Sequence, residues 1–98
     1  MYIKLMQQSD MTPEVVQRLK ELIIQLNPSI SAEKLSDLRI KGSGSDLFCA
    51  FDGNELMGTA TLIRYSVLSG NKAWIEDVVV DQKYRRKGVA KALTNALI

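Results

Sequence analysis

Five cations, Lys83, Arg85, Arg86, Lys87 and Lys91, stand between positions 83 and 91 with no anion among them. The whole chain of 98 residues carries a net charge of only +2, so the remainder is net acidic and the positive charge is gathered at one place. Directly before it lies the β-branched run Val78-Val79-Val80, a strand signal. Directly after Gly88, the residues Val89, Leu93, Ala96 and Leu97 recur at helical spacing. The pattern is a strand end, a tight basic loop and a helix amino terminus opened by glycine. Such a place binds phosphate. The first N–H groups of a helix lack partners, its dipole favours negative charge, and a glycine lets the backbone approach closely. Arginine and lysine add charge-assisted hydrogen bonds. The residues alone predict a pyrophosphate or another polyanion at this loop.

Other chemistries are excluded by what is missing. The chain has no histidine, which removes Ser-His-Asp and Cys-His nucleophile systems, H-E-x-x-H zinc sites and Cys/His metal clusters. No metal is expected. Cys49, the single cysteine, cannot form an intrachain disulfide and sits between apolar neighbours, so it reads as a core residue. The segment Gly42-Ser43-Gly44-Ser45 is not a nucleotide loop. The third glycine of a dinucleotide fingerprint is replaced by Leu47 and a strand follows it, so it reads as a solvated linker. The longest apolar runs are far shorter than the roughly 20 residues needed to cross a bilayer. A signal-peptide pattern is absent from the first eleven residues. The expectation is a cytoplasmic protein with no membrane partner.

The elements that must position the basic loop can be read along the chain. Residues 2–6 form a short strand. Thr12 caps a helix with Pro13 at its first position and Glu14 in its first turn, and Val15, Leu19, Leu22, Ile23 and Leu26 form its buried stripe up to Asn27-Pro28. Residues 31–38 form a shorter helix capped by Ser31. Residues 47–51 and 56–65 are strands joined by the turn Asp52-Gly53-Asn54-Glu55. Residues 66–72 form a loop, flanked by Tyr65 and Trp74, which either pack or line a pocket, and 73–80 is a further strand. Strand, two helices, three strands and a helix make an α/β chain of α+β layering, one domain over residues 1–98.

At this point a resemblance adds a name. Arg85-Arg86-Lys87-Gly88-Val89-Ala90, preceded by a hydrophobic strand and followed by a helix, resembles the [Q/R]-x-x-G-x-[G/A] acetyl-CoA signature of the GNAT superfamily of N-acetyltransferases. The order of elements is similar to that family's first half. The resemblance implies a mixed, mainly antiparallel sheet flanked by helices and a reaction in which a primary amine of a small molecule or protein directly attacks the thioester of acetyl-CoA. The cosubstrate pyrophosphate would rest on the backbone of Arg85, Arg86, Lys87, Gly88, Val89 and Ala90. Backbone groups of Val78, Val79 and Val80 would orient the pantetheine arm, and an N–H near Val78 or Val79 would polarise the thioester carbonyl.

A proton acceptor is also required. Strand alternation places Glu76 on the face of Val78 and Val80, with Asp77 and Asp81 opposite, so Glu76 is the candidate general base, or else a substrate-contacting or structural carboxylate. Tyr84 reads as a loop anchor. The sequence stops within the coenzyme-binding helix without a capping glycine or polar tail, so a partial N-acetyltransferase domain lacking the family's carboxy-terminal strands, and the tyrosine they carry as general acid, is expected. Two other roles compete: a non-catalytic scaffold that forms a homodimer through its open sheet edge, and a nucleic-acid binder using residues 83–91. The small net charge and the lack of repeated exposed aromatics on the strands weigh against the second.

Overall fold

The computed structural model describes residues 1–36 and 44–98. Helix α1 spans Pro13–Leu26, and the Thr12 hydroxyl accepts the Val15 N–H at 3.3 Å as the cap chemistry predicts. Leu19 and Leu22 are buried and Val15 packs beside them, but Leu26 is 44% exposed, so the apolar stripe stops a turn early. Asn27 closes the helix by donating its N–H to the Ile23 carbonyl at 2.8 Å. Helix α2 is Ala32–Ser36, with the Ser31 hydroxyl accepting the Lys34 N–H at 3.2 Å. The expected extension to Leu38 lies outside the described residues, as do Gly42 and Ser43.

Four strands, β1 (Tyr2–Leu5), β2 (Ser45–Asp52), β3 (Glu55–Val67) and β4 (Gly70–Val80), form one sheet in that order. Every neighbouring pair among the described residues is antiparallel, in keeping with the mainly antiparallel sheet expected. Helix α3 (Val89–Leu97) covers one face and α1 the other. On the α3 side, Ala50, Met57, Ala60, Val80, Tyr84, Val89, Leu93 and Leu97 form a core. On the α1 side, Met6, Leu19, Leu22, Cys49, Phe51, Leu56 and Val79 form another. Ala96 is exposed rather than on the buried face of α3. Gly58 lies where α3 presses on the sheet: a Cβ there would stand 2.9 Å from the Val79 carbonyl oxygen and 3.4 Å from Leu93 Cδ1.

Two readings of loops are corrected. The segment 66–72 is not a loop: β3 runs on to Val67, β4 begins at Gly70, and Ser66 pairs with Asn71 and Tyr65 with Lys72. Its polar residues disguised a ribbon whose ladder is made by backbone groups and needs no apolar side chains. Nor is Gly44-Ser45 a free linker, because the Gly44 carbonyl accepts the Arg64 N–H at 2.7 Å and Ser45 opens β2.

Candidate functional site

The basic loop follows β4 and falls into two parts. In the first, Asp81 caps a short 3-10 turn over Gln82–Tyr84. Every backbone N–H from Asp81 to Arg85 has a partner within the chain. Asp81 donates to the Met57 carbonyl at 2.8 Å, Gln82 to Gln25 Oε1 at 3.1 Å, and Lys83 to Asp81 Oδ1 at 2.9 Å. Tyr84 donates to the Asp81 carbonyl at 2.9 Å and Arg85 to that of Gln82 at 3.4 Å. Side chains add to these ties. Arg18 on α1 is ion-paired with the Asp81 carboxylate, which is only 8% exposed, and Glu55 accepts from the Tyr84 hydroxyl and pairs with Lys83 Nζ at 2.7 Å.

In the second part the partners vanish. Among the described residues, the backbone N–H groups from Arg86 to Lys91 meet no acceptor in the chain, the first bond of α3 being Ala92 N–H to the Gly88 carbonyl at 3.0 Å. Arg86 has φ +64° and Gly88 φ +79°, left-handed conformations of the kind that let successive amides gather into an anion-binding concavity. A Cβ at Gly88 would meet nothing within 4 Å, so the space before the helix is open. Val89 is buried and anchors α3, while Ala90 is exposed. No carboxylate among the described residues pairs with Arg86, Lys87 or Lys91. These features suit a pyrophosphate.

Not all the expected contacts are made as foreseen. Arg85 turns its side chain back, Nε donating to the Val80 carbonyl at 3.1 Å, and Lys83 is occupied by Glu55. Tyr84 is the anchor expected of it: its ring is buried in the α3-side core, with Lys83 Nζ 5.2 Å and Lys87 Nζ 5.8 Å from its centroid. The Glu55 carboxylate raises the Tyr84 and Lys83 values and is itself held low, first by Lys83 and then by Tyr84. Cys49 is a buried free thiol whose value burial pushes up to about 11, which fits a core residue and not a nucleophile.

The face assigned to Glu76 is corrected. Thr59 pairs with Val79 and Thr61 with Glu76, so β4 carries an extra residue at this step, where Asp77 has φ +52°. This bulge shifts the alternation by one. Ile75, Val78 and Val80 all face the α3 side, whereas Val79 faces α1, and Glu76 shares the face of its partner Thr61 and of Val79. Glu76 is thus separated from Val78 and Val80. Its Oε1 accepts the Trp74 indole N–H at 2.6 Å, and both residues are exposed. Trp74 is 58% and Tyr65 44% exposed, so neither packs in the core. Beyond β4 no strand pairs with its outer edge among the described residues.

A family model described as the Acetyltransferase (GNAT) family matches residues 16–98. The chain belongs to this family. No curated protein matches it closely enough to count as a relative. Solved structures share the GNAT fold. A putative acetyltransferase from Agrobacterium tumefaciens aligns over 99% of this chain and 70% of its own, at 23% identity and TM-score 0.78. Glucosamine-6-phosphate N-acetyltransferase from Arabidopsis thaliana aligns over 98% and 70%, at 22% identity and TM-score 0.69. An aminoglycoside 6'-N-acetyltransferase solved with coenzyme A aligns over 99% of this chain and 53% of its own, at 22% identity and TM-score 0.76. By family the chain is an acetyl-CoA-dependent acetyltransferase. Among the described residues no helix is long and apolar enough to cross a membrane, and no group of three or more potential metal ligands occurs.

The residues that hold the loop from outside it, Arg18, Gln25 and Glu55, were not foreseen. Asp81 had a signal, since aspartate directly after a strand and before Gln-Lys-Tyr is a capping residue. The other three had none, because the contacts span 63, 57 and 29 positions.

Proposed function

We propose that this chain is an N-acetyltransferase domain that carries an acetyl group from acetyl-CoA to a primary amine of a small molecule or protein, both substrates being bound together. The observation that carries the reading is the run of amides from Arg86 to Lys91 that meet no acceptor among the described residues, beside the cations Arg86, Lys87 and Lys91, which meet no carboxylate there. These groups bind the pyrophosphate. The outer edge of β4 at Val78, Val79 and Val80, with which no strand pairs among the described residues, orients the rest of the cosubstrate by backbone hydrogen bonds. Acetyl-CoA supplies an acyl group activated as a thioester. Glu76 meets the acceptor: Trp74 holds one carboxylate oxygen, and the other is left to receive the ammonium and take its proton. The neutral amine nitrogen then bonds to the acyl carbon as the carbon–sulfur bond breaks, and the proton that the nitrogen sheds passes to the departing thiolate, so that the products are the amide and the free thiol of the coenzyme. A cytoplasmic setting belongs to this reading, and the free thiol of Cys49 agrees with it.

Release of free thiol from acetyl-CoA, followed with a panel of aminosugars, polyamines and peptides, tests the proposal. Amine-dependent thiol release, lowered about 100-fold in Glu76→Gln, supports it; release that ignores the amine contradicts it. One observation favours a second reading, a scaffold that pairs with another copy through the outer edge of β4, which is unpaired among the described residues. Light scattering separates the two. A dimer that binds no acetyl-CoA supports the scaffold, and a chain that binds it supports the enzyme.

A further inference from the structure

The hydrogen-bond pattern of the loop changes abruptly: five consecutive amides, Asp81 to Arg85, are satisfied inside the chain, and the next six find no acceptor among the described residues. An anion site built this way has its direction set by the tied part. Free amides can aim at one point only if the segment before them cannot swing, and a fixed segment spares the ligand the cost of ordering it.

Two of the ties come from a helix that contributes nothing to the acetyl-CoA signature. Gln25 accepts the Gln82 N–H at 3.1 Å. Arg18 pairs with Asp81 Oδ2, which leaves Oδ1 aimed at the Lys83 N–H at 2.9 Å, and its other terminal nitrogen reaches Glu21 at 3.0 Å. Positions 18 and 25 are two turns apart and lie on one side of α1, flanking the buried Leu22. The guanidinium also neutralises a nearly buried carboxylate next to a site meant for an anion. Without Arg18 that carboxylate would stand uncompensated and repel the ligand.

We infer that Arg18 and Gln25 of α1 are positioning residues for the coenzyme loop, acting through Asp81 and Gln82, so that the seating of α1 on the sheet sets the affinity for the coenzyme. The inference rests on the acetyl-CoA reading of the loop and adds to it a dependence on a helix outside the motif.

The test uses the full chain, with Arg18→Gln, Arg18→Lys, Asp81→Asn, Gln25→Ala and, as a control on the same helix, the exposed Gln17→Ala. Two quantities are read at a temperature where circular dichroism shows all of them folded: the dissociation constant for coenzyme A, and the hydrogen-exchange rate of the Lys83 amide without ligand. Arg18→Gln is expected to weaken coenzyme A about tenfold and Gln25→Ala about threefold, the size of one lost charged and one lost neutral hydrogen bond. Arg18→Lys should recover part of the loss. Arg18→Gln with Asp81→Asn should cost less than the two singles multiplied, because they remove one interaction. The Lys83 amide should exchange faster in Arg18→Gln and as in the parent in Gln17→Ala.

Coenzyme affinities within twofold of the control, with an unchanged Lys83 amide, would overturn the inference. Should Arg18→Gln not fold, Gln25→Ala, which removes no charge, decides by the same two readings. Failure of the parent chain to bind coenzyme A would sink the proposed function instead; the Lys83 amide then judges the positioning, with faster exchange upholding it and no change overturning it.

Discussion

The sheet has two unlike ends. At one, residues of β2, β3 and β4 are packed on both faces, Cys49 and Val79 under α1 and Ala60 and Val80 under α3, and the basic loop leaves from there already tied. At the other, the ribbon of β3 and β4 runs on past the start of β2, where Ser45 stands opposite Ile63, and carries Tyr65, Val67, Leu68 and Trp74 exposed. The bulge at Asp77 lies between them. The difference teaches that burial and chemistry are divided along one strand. On the proposed function, the covered end supplies rigidity for holding a phosphate and the bare end supplies surface, with Glu76 beside the bulge that divides them.

The comparison breaks most easily at the covered end. Leu93→Ala empties a fully buried position and should cost about 3 kcal/mol, a large share of the stability of a chain this size, as read by urea unfolding. Gly58→Ala forces a Cβ against the Val79 carbonyl oxygen and should cost about 2 kcal/mol by the same measurement. Asp81 sharpens it through pH. The Lys83 amide first, and the Arg18 guanidinium after it, hold the carboxyl below its ordinary 3.8 against the cost of burial. A depressed folded value means that the contribution is full at neutral pH and is lost as pH falls through that value. Thermal melts of the parent and Asp81→Asn should therefore differ at pH 7 and draw together well below pH 3.8. At the bare end the effects shrink. Trp74→Ala should raise the acceptor KM about fivefold, as a lost aromatic contact and a freed Glu76 carboxylate would, and leave melting unchanged. Leu68→Ser, at a fully exposed turn, should move stability by less than about 0.5 kcal/mol.

The order of elements was legible because each carries a local signal: the Thr12-Pro13 cap, the Gly53 turn and the valine run before the basic loop all act within a few residues of themselves. The basic loop and Gly88 were legible for the same reason. What was not legible depended on partners far along the chain. Arg18 looks like an ordinary surface arginine of an amphipathic helix until α1 is laid against the end of β4. The Asp77 bulge is hidden in a run that reads as unbroken strand, so alternation carried Glu76 to the wrong face. The ribbon at 66–72 was missed because Ser66, Ser69, Gly70 and Asn71 are residues that turns favour, while the backbone ladder that pairs Ser66 with Asn71 and Val67 with Gly70 leaves no trace in side-chain type.

The central claim, that the amides of residues 86–91 form a coenzyme site, is tested most directly by calorimetric titration of the chain with acetyl-CoA, beside Gly88→Asp. That substitution puts a β-carbon on a left-handed residue and a carboxylate into the open space before α3, and Asp is a residue that tolerates this conformation, so the fold should survive. Saturable binding of one acetyl-CoA per chain, weakened at least about tenfold in Gly88→Asp, is the expected result. A folded chain that binds no acetyl-CoA, or binds it equally well with aspartate at position 88, would contradict the claim.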